Sequence, residues 1–216
     1  MENTAQATLQ PSSYFASTIY TIEKPEFLDS VGKISDKALK ITKDSQEKNE
    51  VYPSVMSASM IGTPEIKDFE MFIAQSGWSI LEAQGYNMVG YNTFISELWS
   101  QEHYKFSSMD THVHPYGAAL SGFYFLEVPD GGCMVQLHDP RPGKVQISLP
   151  EADATKVTEA SNSFFIKPEP GMFIFSNSWL PHSFTRNTSD KSVKFVHFNI
   201  STITVPQKTI PAPVVI

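Results

Sequence analysis

The stretch ALSGFYFLEVPDGGCMVQLHDPRPGKVQISLP, residues 119–150, decides the fold class of this chain. It contains three segments rich in apolar, aromatic and β-branched residues, and the turn sequences DGG and RPG separate them. Such segments are typical of β-strands, because these side chains pack well on a pleated surface. The pattern predicts three successive strands, over residues 119–129, 132–140 and 144–150.

Similar segments occur on both sides of this stretch, and short turns such as PEPG and RNTSD join them. They predict four further strands, over residues 13–23, 91–106, 171–184 and 191–205. A helix is expected before residue 91, since Thr63 and Pro64 suit a helix start and Gly85 suits its end. The charged stretch within residues 27–50 is typical of a solvated loop or helix face. Together these elements predict a mainly β fold, a sandwich or partly closed barrel of jelly-roll type, with one or two N-terminal helices packed on the sheet.

Length and composition limit the class of protein. Residues 1–216 are expected to form one domain, with a core at about 90–205 and loose or extended ends at 1–13 and 206–216. A formal net charge of −7 argues against nucleic acid or an anionic membrane as a partner, because phosphate groups attract clustered cations. The single cysteine, Cys133, excludes an internal disulfide and is expected to be buried and inert. No secretory signal or membrane-spanning apolar run is found, which predicts a cytoplasmic protein.

Three of the six histidines have a spacing that suits metal binding. His112 and His114 are two residues apart, and residues at this spacing on a strand project to the same face. His182 follows 68 residues after His114, which is enough chain for several strands to return beside the first. Imidazole ligands suit iron, zinc, copper or nickel, whereas magnesium and calcium prefer oxygen ligands. The pattern alone is suggestive of a metal site.

A series of short motifs surrounds these histidines. In chain order they are HVHP, LSG followed by aromatic residues, DPR, PG before an apolar run, WLPH and a final FN, between about residues 90 and 200. This series resembles the Fe(II)- and 2-oxoglutarate-dependent oxygenases, with the closest likeness to those of bacteriophages, especially cyanobacterial phages, and of marine bacteria. The resemblance implies a double-stranded β-helix, also described as a jelly-roll or cupin-like core, with iron held near the mouth of the barrel.

The resemblance also implies a set of iron ligands. His112 occupies the position of the first histidine, His114 that of the usual carboxylate, and His182 that of the distal histidine. The imidazole at position 114 departs from the superfamily pattern, and its bulk argues against halogenation, which needs room for chloride at that position. Asp110, two residues before His112, is the alternative carboxylate ligand. A site of three neutral histidines carries one negative charge fewer, which predicts a more electrophilic iron and weaker metal retention.

The resemblance further implies a cation for the far carboxylate of 2-oxoglutarate. Lys191 is the first choice because it lies nine positions after His182, while Lys194 and Arg186 are alternatives at twelve and four positions. Tyr124 matches an aromatic position that contributes a hydroxyl group to 2-oxoglutarate in related hydroxylases. Arg141 either reaches the cosubstrate or forms a salt bridge with Asp139. The remaining histidines are interpreted as ordinary polar or packed residues; they are His103, His138 and His197.

Three functions follow, in order of preference. The first is an Fe(II)- and 2-oxoglutarate-dependent oxygenase, specifically a hydroxylase, that acts with O₂ on a small-molecule or protein substrate and releases succinate and CO₂. The second is a cupin-like metalloenzyme with three histidines that does not use 2-oxoglutarate, such as a thiol dioxygenase. The third is a jelly-roll binding or virion-associated module without enzymatic activity. If a phage encodes the chain, the host cytoplasm is its expected location.

Overall fold

The computed structural model describes residues 9–45 and 54–205. Ten β-strands and two α-helices form the described part of the chain. The strands are β1 Tyr20–Glu23, β2 Ser54–Met56, β3 Tyr91–His103, β4 Met109–His112, β5 Ala118–Glu127, β6 Val135–His138, β7 Ser163–Ile166, β8 Met172–Asn177, β9 His182–Phe184 and β10 Val193–Thr204, and the helices are α1 Leu28–Ser45 and α2 Lys67–Ala83. Within the described residues, no helix combines the length and the apolar character needed to cross a lipid bilayer.

The strands form two antiparallel sheets. The six-stranded sheet has the order β1-β8-β5-β10-β3-β2, and the four-stranded sheet has the order β4-β9-β6-β7. From β3 to β10 the chain passes repeatedly from one sheet to the other, which is the winding of a jelly roll. The mainly β, jelly-roll prediction is therefore confirmed.

Both helices lie on the outer face of the six-stranded sheet. In α2 the apolar residues recur at helical spacing, so that Phe69 and Ile73 are fully buried against the sheet. A short 3₁₀ turn, Pro64–Ile66, precedes α2, and Gly85 with φ of +93° follows it. The predicted helix start and stop are thus close to the observed ones, and the charged stretch over 27–50 contains α1.

One apolar cluster lies between the helices and the six-stranded sheet, and a second fills the space between the two sheets. Because side chains alternate along a strand, one face of β5 and β10 points to the helices and the other points to the four-stranded sheet. The rings on this inward face contact rings from β9, with Phe184 and Phe195 stacked at 4.9 Å between centroids. We call the following four residues the aromatic cluster: Phe123, Phe125, Phe184 and Phe195.

Three strand predictions need correction. Residues 144–150 do not form a strand; a 3₁₀ turn, Pro142–Gln146, occupies their start, and Leu149 remains 81% exposed. No sheet lies against this amphipathic segment, so its alternation of apolar side chains produces no strand. The edge strand over 13–23 is limited to Tyr20–Glu23, and a turn divides the segment 171–184 into β8 and β9.

Candidate metal centre

His112, His114 and His182 meet at one end of the space between the sheets. His112 ends β4, His182 begins β9, and the two residues are direct partners across these antiparallel strands. His114 follows β4, where its backbone N–H donates a hydrogen bond of 2.9 Å to the carbonyl oxygen of Ser178. One ring nitrogen from each histidine lies within 4.8 Å of the others, and the Nε2 atoms of His114 and His182 are 3.1 Å apart. We call these three residues the histidine centre and this end of the barrel the mouth.

The backbone orients two of the three imidazoles. Nδ1 of His112 donates to the carbonyl oxygen of Asp110 at 2.8 Å, and Nδ1 of His182 donates to that of Leu180 at 2.9 Å. A carbonyl oxygen only accepts hydrogen bonds, so each Nδ1 carries the proton and each Nε2 is the nitrogen with the lone pair. The same support behind a ligating histidine is usual in metal sites, where it fixes the tautomer and the ring orientation.

Burial keeps the imidazoles of His114 and His182 neutral. Loss of hydration lowers the pKa of His182 to about 4, and burial together with the neighbouring histidines lowers the pKa of His114 to about 3. Neutral imidazole is the form that binds a metal ion. At neutral pH these two residues are therefore in the form that binds a metal ion.

Asp110, the alternative carboxylate, contributes its backbone carbonyl group. Its exposed side chain does not belong to the group of potential ligand atoms that the described residues bring together here. The structure therefore does not support Asp110 as a metal ligand in place of His114. The chain offers an all-histidine set at this position.

Two residues that the sequence did not indicate lie beside the histidine centre. His197, which was interpreted as an ordinary packed residue, stacks on His114 with 4.7 Å between the ring centroids. Glu97 completes a second group with His114 and His197, in which the potential ligand atoms lie within 4.8 Å of one another. The sequence offered one indication that His197 points inward, because it shares a strand face with apolar residues. It offered none for Glu97, which comes next to His197 only through the pairing of β3 with β10.

Unpartnered polar atoms gather at the mouth. A buried polar group without a hydrogen bond costs about 1–3 kcal/mol, so such atoms are rare unless a ligand or water meets them. Among the described residues, the buried side-chain atoms that lack a partner are Trp99 Nε1, His103 Nδ1, Ser121 Oγ, His197 Nε2 and Asn199 Oδ1. All five residues belong to β3, β5 or β10. Four of them lie at the mouth, whereas His103 lies at the apolar end, against Phe184 and Phe195. This environment fits a bound metal ion with polar ligands around it.

The four residues predicted to bind 2-oxoglutarate lie elsewhere. Tyr124 is fully buried on the helix side of β5, where its hydroxyl group donates to the carbonyl oxygen of Lys24 at 2.8 Å. Lys191 is exposed in the loop before β10, and Arg186 is exposed in the same loop. Arg141 forms the expected salt bridge with Asp139 at 2.7 Å, and this bridge holds the pKa of the carboxyl group well below its ordinary value.

Lys194, the other candidate cation, is buried on the outer face of β10. Its ammonium group contacts Asp36 at 2.6 Å and Glu127 at 2.7 Å. It is the only lysine or arginine that is buried in the described part of the chain. The inward residues of β10 carry no positive charge; they are Val193, Phe195, His197 and Asn199. The described residues around the histidine centre therefore fit iron, but none of the described inward residues of β10 is a lysine or arginine that could pair with the far carboxylate of 2-oxoglutarate.

Comparison with known proteins agrees with this geometry. Residues 97–199 match the model of a family described as "Putative 2OG-Fe(II) oxygenase". No protein of curated function matches the chain. The fold is similar to that of AviO1 from Streptomyces viridochromogenes Tue57, with 9% identity, a TM-score of 0.61, and coverage of 88% of this chain and 92% of the other.

Two further solved structures share the fold. A Pseudomonas putida prolyl-4-hydroxylase has 9% identity and a TM-score of 0.59, with 86% of this chain and 93% of the other covered. HygX from Streptomyces hygroscopicus, solved with nickel, 2-oxoglutarate and hygromycin B bound, has 9% identity and a TM-score of 0.55, with 86% and 83% covered. The fold and the histidine centre define a jelly-roll protein with a candidate metal site. Residues 97–199 of the chain are similar to the 2OG-Fe(II) oxygenase family, whose model they match.

Proposed function

We propose that this protein is an Fe(II)-dependent oxygenase that uses 2-oxoglutarate and O₂ to hydroxylate an organic substrate, with release of succinate and CO₂. The observation that carries the proposal is the histidine centre, in which backbone carbonyl groups hold two imidazoles so that each Nε2 is the unprotonated nitrogen. Imidazole is a good ligand for iron. Three ligands leave coordination positions for a cosubstrate and O₂, as an oxygenase requires.

The chain itself supplies position, charge and exclusion of water. His112, His114 and His182 would hold the iron in the neutral form that burial imposes on the latter two. Bound iron would supply the redox chemistry that activates O₂. The Phe123 ring closes the inner side of the centre, with its centroid 5.6 Å from that of the His182 ring, and excludes water there. Without a carboxylate ligand the metal keeps its full positive charge, which favours an electrophilic iron and weak retention.

A second candidate is an oxygenase with three histidine ligands that does not use 2-oxoglutarate. It is supported by the inward face of the barrel, where the described residues include no lysine or arginine and the aromatic cluster fills the depth. A 2-oxoglutarate molecule bound there would leave its far carboxylate unpaired. An unpaired buried charge costs several kcal/mol. Activation of O₂ would then rely on the substrate itself as a metal ligand.

Anaerobic titration of the Fe(II) protein with 2-oxoglutarate tests the proposal. Chelation by the keto acid should produce a weak visible charge-transfer band, and admission of O₂ should release succinate. His182→Ala should abolish both signals, because the two remaining imidazoles would hold iron poorly. Tyr124→Phe is a matched control that should keep both, since this hydroxyl group contacts the helix side.

The outcomes separate the two candidates. Iron binding without the band or succinate release would contradict 2-oxoglutarate dependence and favour the second candidate. Failure to bind iron at all would contradict both. Lys191→Ala adds a further arm: an unchanged affinity for 2-oxoglutarate is expected from the exposed position of this side chain, whereas a hundredfold loss would restore Lys191 as the anchor.

A further inference from the structure

A row of polar side chains crosses the six-stranded sheet at the mouth of the barrel. The strand register pairs Asn199 of β10 with Glu97 of β3 on one side and with Ser121 of β5 on the other. Ser121 in turn pairs with Ser176 of β8. Direct partners on neighbouring strands project to the same face of a sheet, and Asn199 lies on the inward face, so all four side chains face the space between the sheets. We call these four residues the polar row.

The polar row lies beside the histidine centre. A carboxylate oxygen of Glu97 lies within 4.8 Å of a ring nitrogen of His114 and of one of His197. Beneath the row, the same strands contribute Trp99, His197 and Phe123, and Phe123 belongs to the aromatic cluster. A polar group of a bound molecule would therefore stop at the row, with its neighbouring atoms next to the histidine centre.

The hydrogen bonds within the row leave acceptor atoms unused. The side-chain amide of Asn199 donates to the Glu97 carboxylate, so the Asn199 Oδ1 atom points elsewhere. That oxygen has no hydrogen-bond partner although Asn199 is only 1% exposed, and the hydroxyl group of the fully buried Ser121 has none either. Because an unpaired buried acceptor costs free energy, a hydrogen-bond donor is the expected occupant of this position.

The charge of the row favours a cation. Within the part of the chain that the structure describes, the Glu97 carboxylate forms no ion pair with a side chain. Glu97 is only partly buried, so a molecule from solvent can reach it. A protonated amine complements this arrangement, since it combines a positive charge with three N–H donors and has no acceptor.

We infer that the polar row binds a protonated primary amine of the organic substrate, with Glu97 as the counter-charge and Asn199 Oδ1 as a second acceptor. The amine belongs to a free molecule or to a lysine side chain. The unpartnered Trp99 Nε1–H, one layer deeper, suits an oxygen atom of the bound molecule. The inference names a substrate class and so rests on the proposed function, but binding of the amine itself requires no catalysis.

The affinity of butylamine for the anaerobic Fe(II) protein at neutral pH tests this inference, with isothermal titration calorimetry as the measurement. Butanol is the neutral probe of similar size. Butylamine should bind at least about tenfold more tightly than butanol, because hydrogen bonds between charged groups are the stronger ones. Glu97→Gln should remove this preference. Glu23→Gln is the matched control, since it removes the same charge from the exposed end of β1, and it should keep the preference.

Equal affinities of the wild-type protein for butylamine and butanol would overturn the inference, and this comparison holds even if Glu97→Gln fails to fold. An unchanged butylamine affinity in a folded Glu97→Gln protein would also overturn it. A short lysine peptide distinguishes the two sources of the amine: tighter binding than butylamine indicates a protein substrate, and equal or weaker binding indicates a free amine. Both results support the inference.

The inference and the proposed function can fail separately. If the protein binds no iron but the metal-free chain still prefers butylamine to butanol, the proposed function fails and the amine site stands. If the Fe(II) protein releases succinate from 2-oxoglutarate but shows no preference for butylamine, the amine site fails and the proposed function stands.

Discussion

The inward face of β10 has two halves that differ in composition and in contacts. Val193 and Phe195 belong to the apolar half, where Phe195 also packs against Phe123 with 5.7 Å between the ring centroids. His197 and Asn199 belong to the polar half, where each has a buried atom without a hydrogen bond. Burial of the apolar half stabilises the fold, whereas burial of the unpartnered polar atoms costs free energy in the absence of a ligand. The comparison teaches that one strand can contain both residues that stabilise the fold and, directly after them, residues suited to binding a ligand.

Phe195→Ala should give the largest loss of stability. Removing a fully buried ring that contacts several other rings leaves a cavity, and such changes cost about 3–5 kcal/mol of unfolding free energy. Chemical denaturation of the metal-free protein measures this loss. Ile203→Ala, on the same strand but 56% exposed, is the control and should change the free energy by less than about 0.5 kcal/mol. Equal losses of unfolding free energy in the two variants would contradict the claim that the apolar half of β10 stabilises the fold.

Acidification should destabilise the protein through His103, which lies at the apolar end. Burial lowers the pKa of His103 from 6.5 to about 4, so between these values the unfolded chain binds a proton that the folded chain does not. The contribution of His103 to the free energy of unfolding is therefore fully present above pH 6.5. It falls by about 3 kcal/mol as the pH decreases to 4. Denaturant midpoints of the metal-free wild-type protein and His103→Gln at pH 7.5 and pH 4 measure the difference. Parallel losses in both proteins would contradict this assignment.

Ser121→Ala should have the smallest effect, and its sign is informative. Its hydroxyl group is buried at the mouth without a partner, so its removal should leave the free energy of unfolding unchanged or raise it by up to about 1 kcal/mol. Ser100→Ala is the matched variant on the helix side, where the Ser100 hydroxyl donates to Ser35 Oγ at 2.5 Å. That variant should lose about 1 kcal/mol or more. A larger loss of unfolding free energy for Ser121→Ala than for Ser100→Ala would mean that the Ser121 hydroxyl group already has a hydrogen-bond partner without a ligand.

The parts of this account that depend on local sequence were predictable. The jelly-roll class followed from the strands and turns. The two-residue spacing of His112 and His114 indicated two imidazoles on one face of a strand, although β4 ends at His112 and His114 follows it. By contrast, residues 144–150 alternate like a strand and yet lie exposed, because strand formation needs a partner sheet that the local pattern does not reveal.

The parts that depend on strand register were not predictable. Lys191 was chosen by its spacing from His182, but β10 begins only at Val193, so Lys191 lies in the preceding loop. Glu97 and His197 are 100 residues apart, and their approach depends on a pairing that also contains a register shift after Asn199. A shift of one residue would turn each of these side chains to the other face of the sheet. Sequence spacing alone does not contain that information.

X-ray absorption at the iron edge of the anaerobic protein loaded with one equivalent of Fe(II) tests the central claim most directly. The account predicts imidazole ligation by three histidines, with iron–nitrogen distances on the order of 2.0–2.2 Å, as is usual for metal–imidazole bonds. His182→Ala should lose this signature, and His138→Asn, which changes a histidine outside the centre, should retain it. A first coordination shell made only of oxygen ligands, without the multiple scattering of imidazole rings, would contradict the claim that His112, His114 and His182 hold the iron.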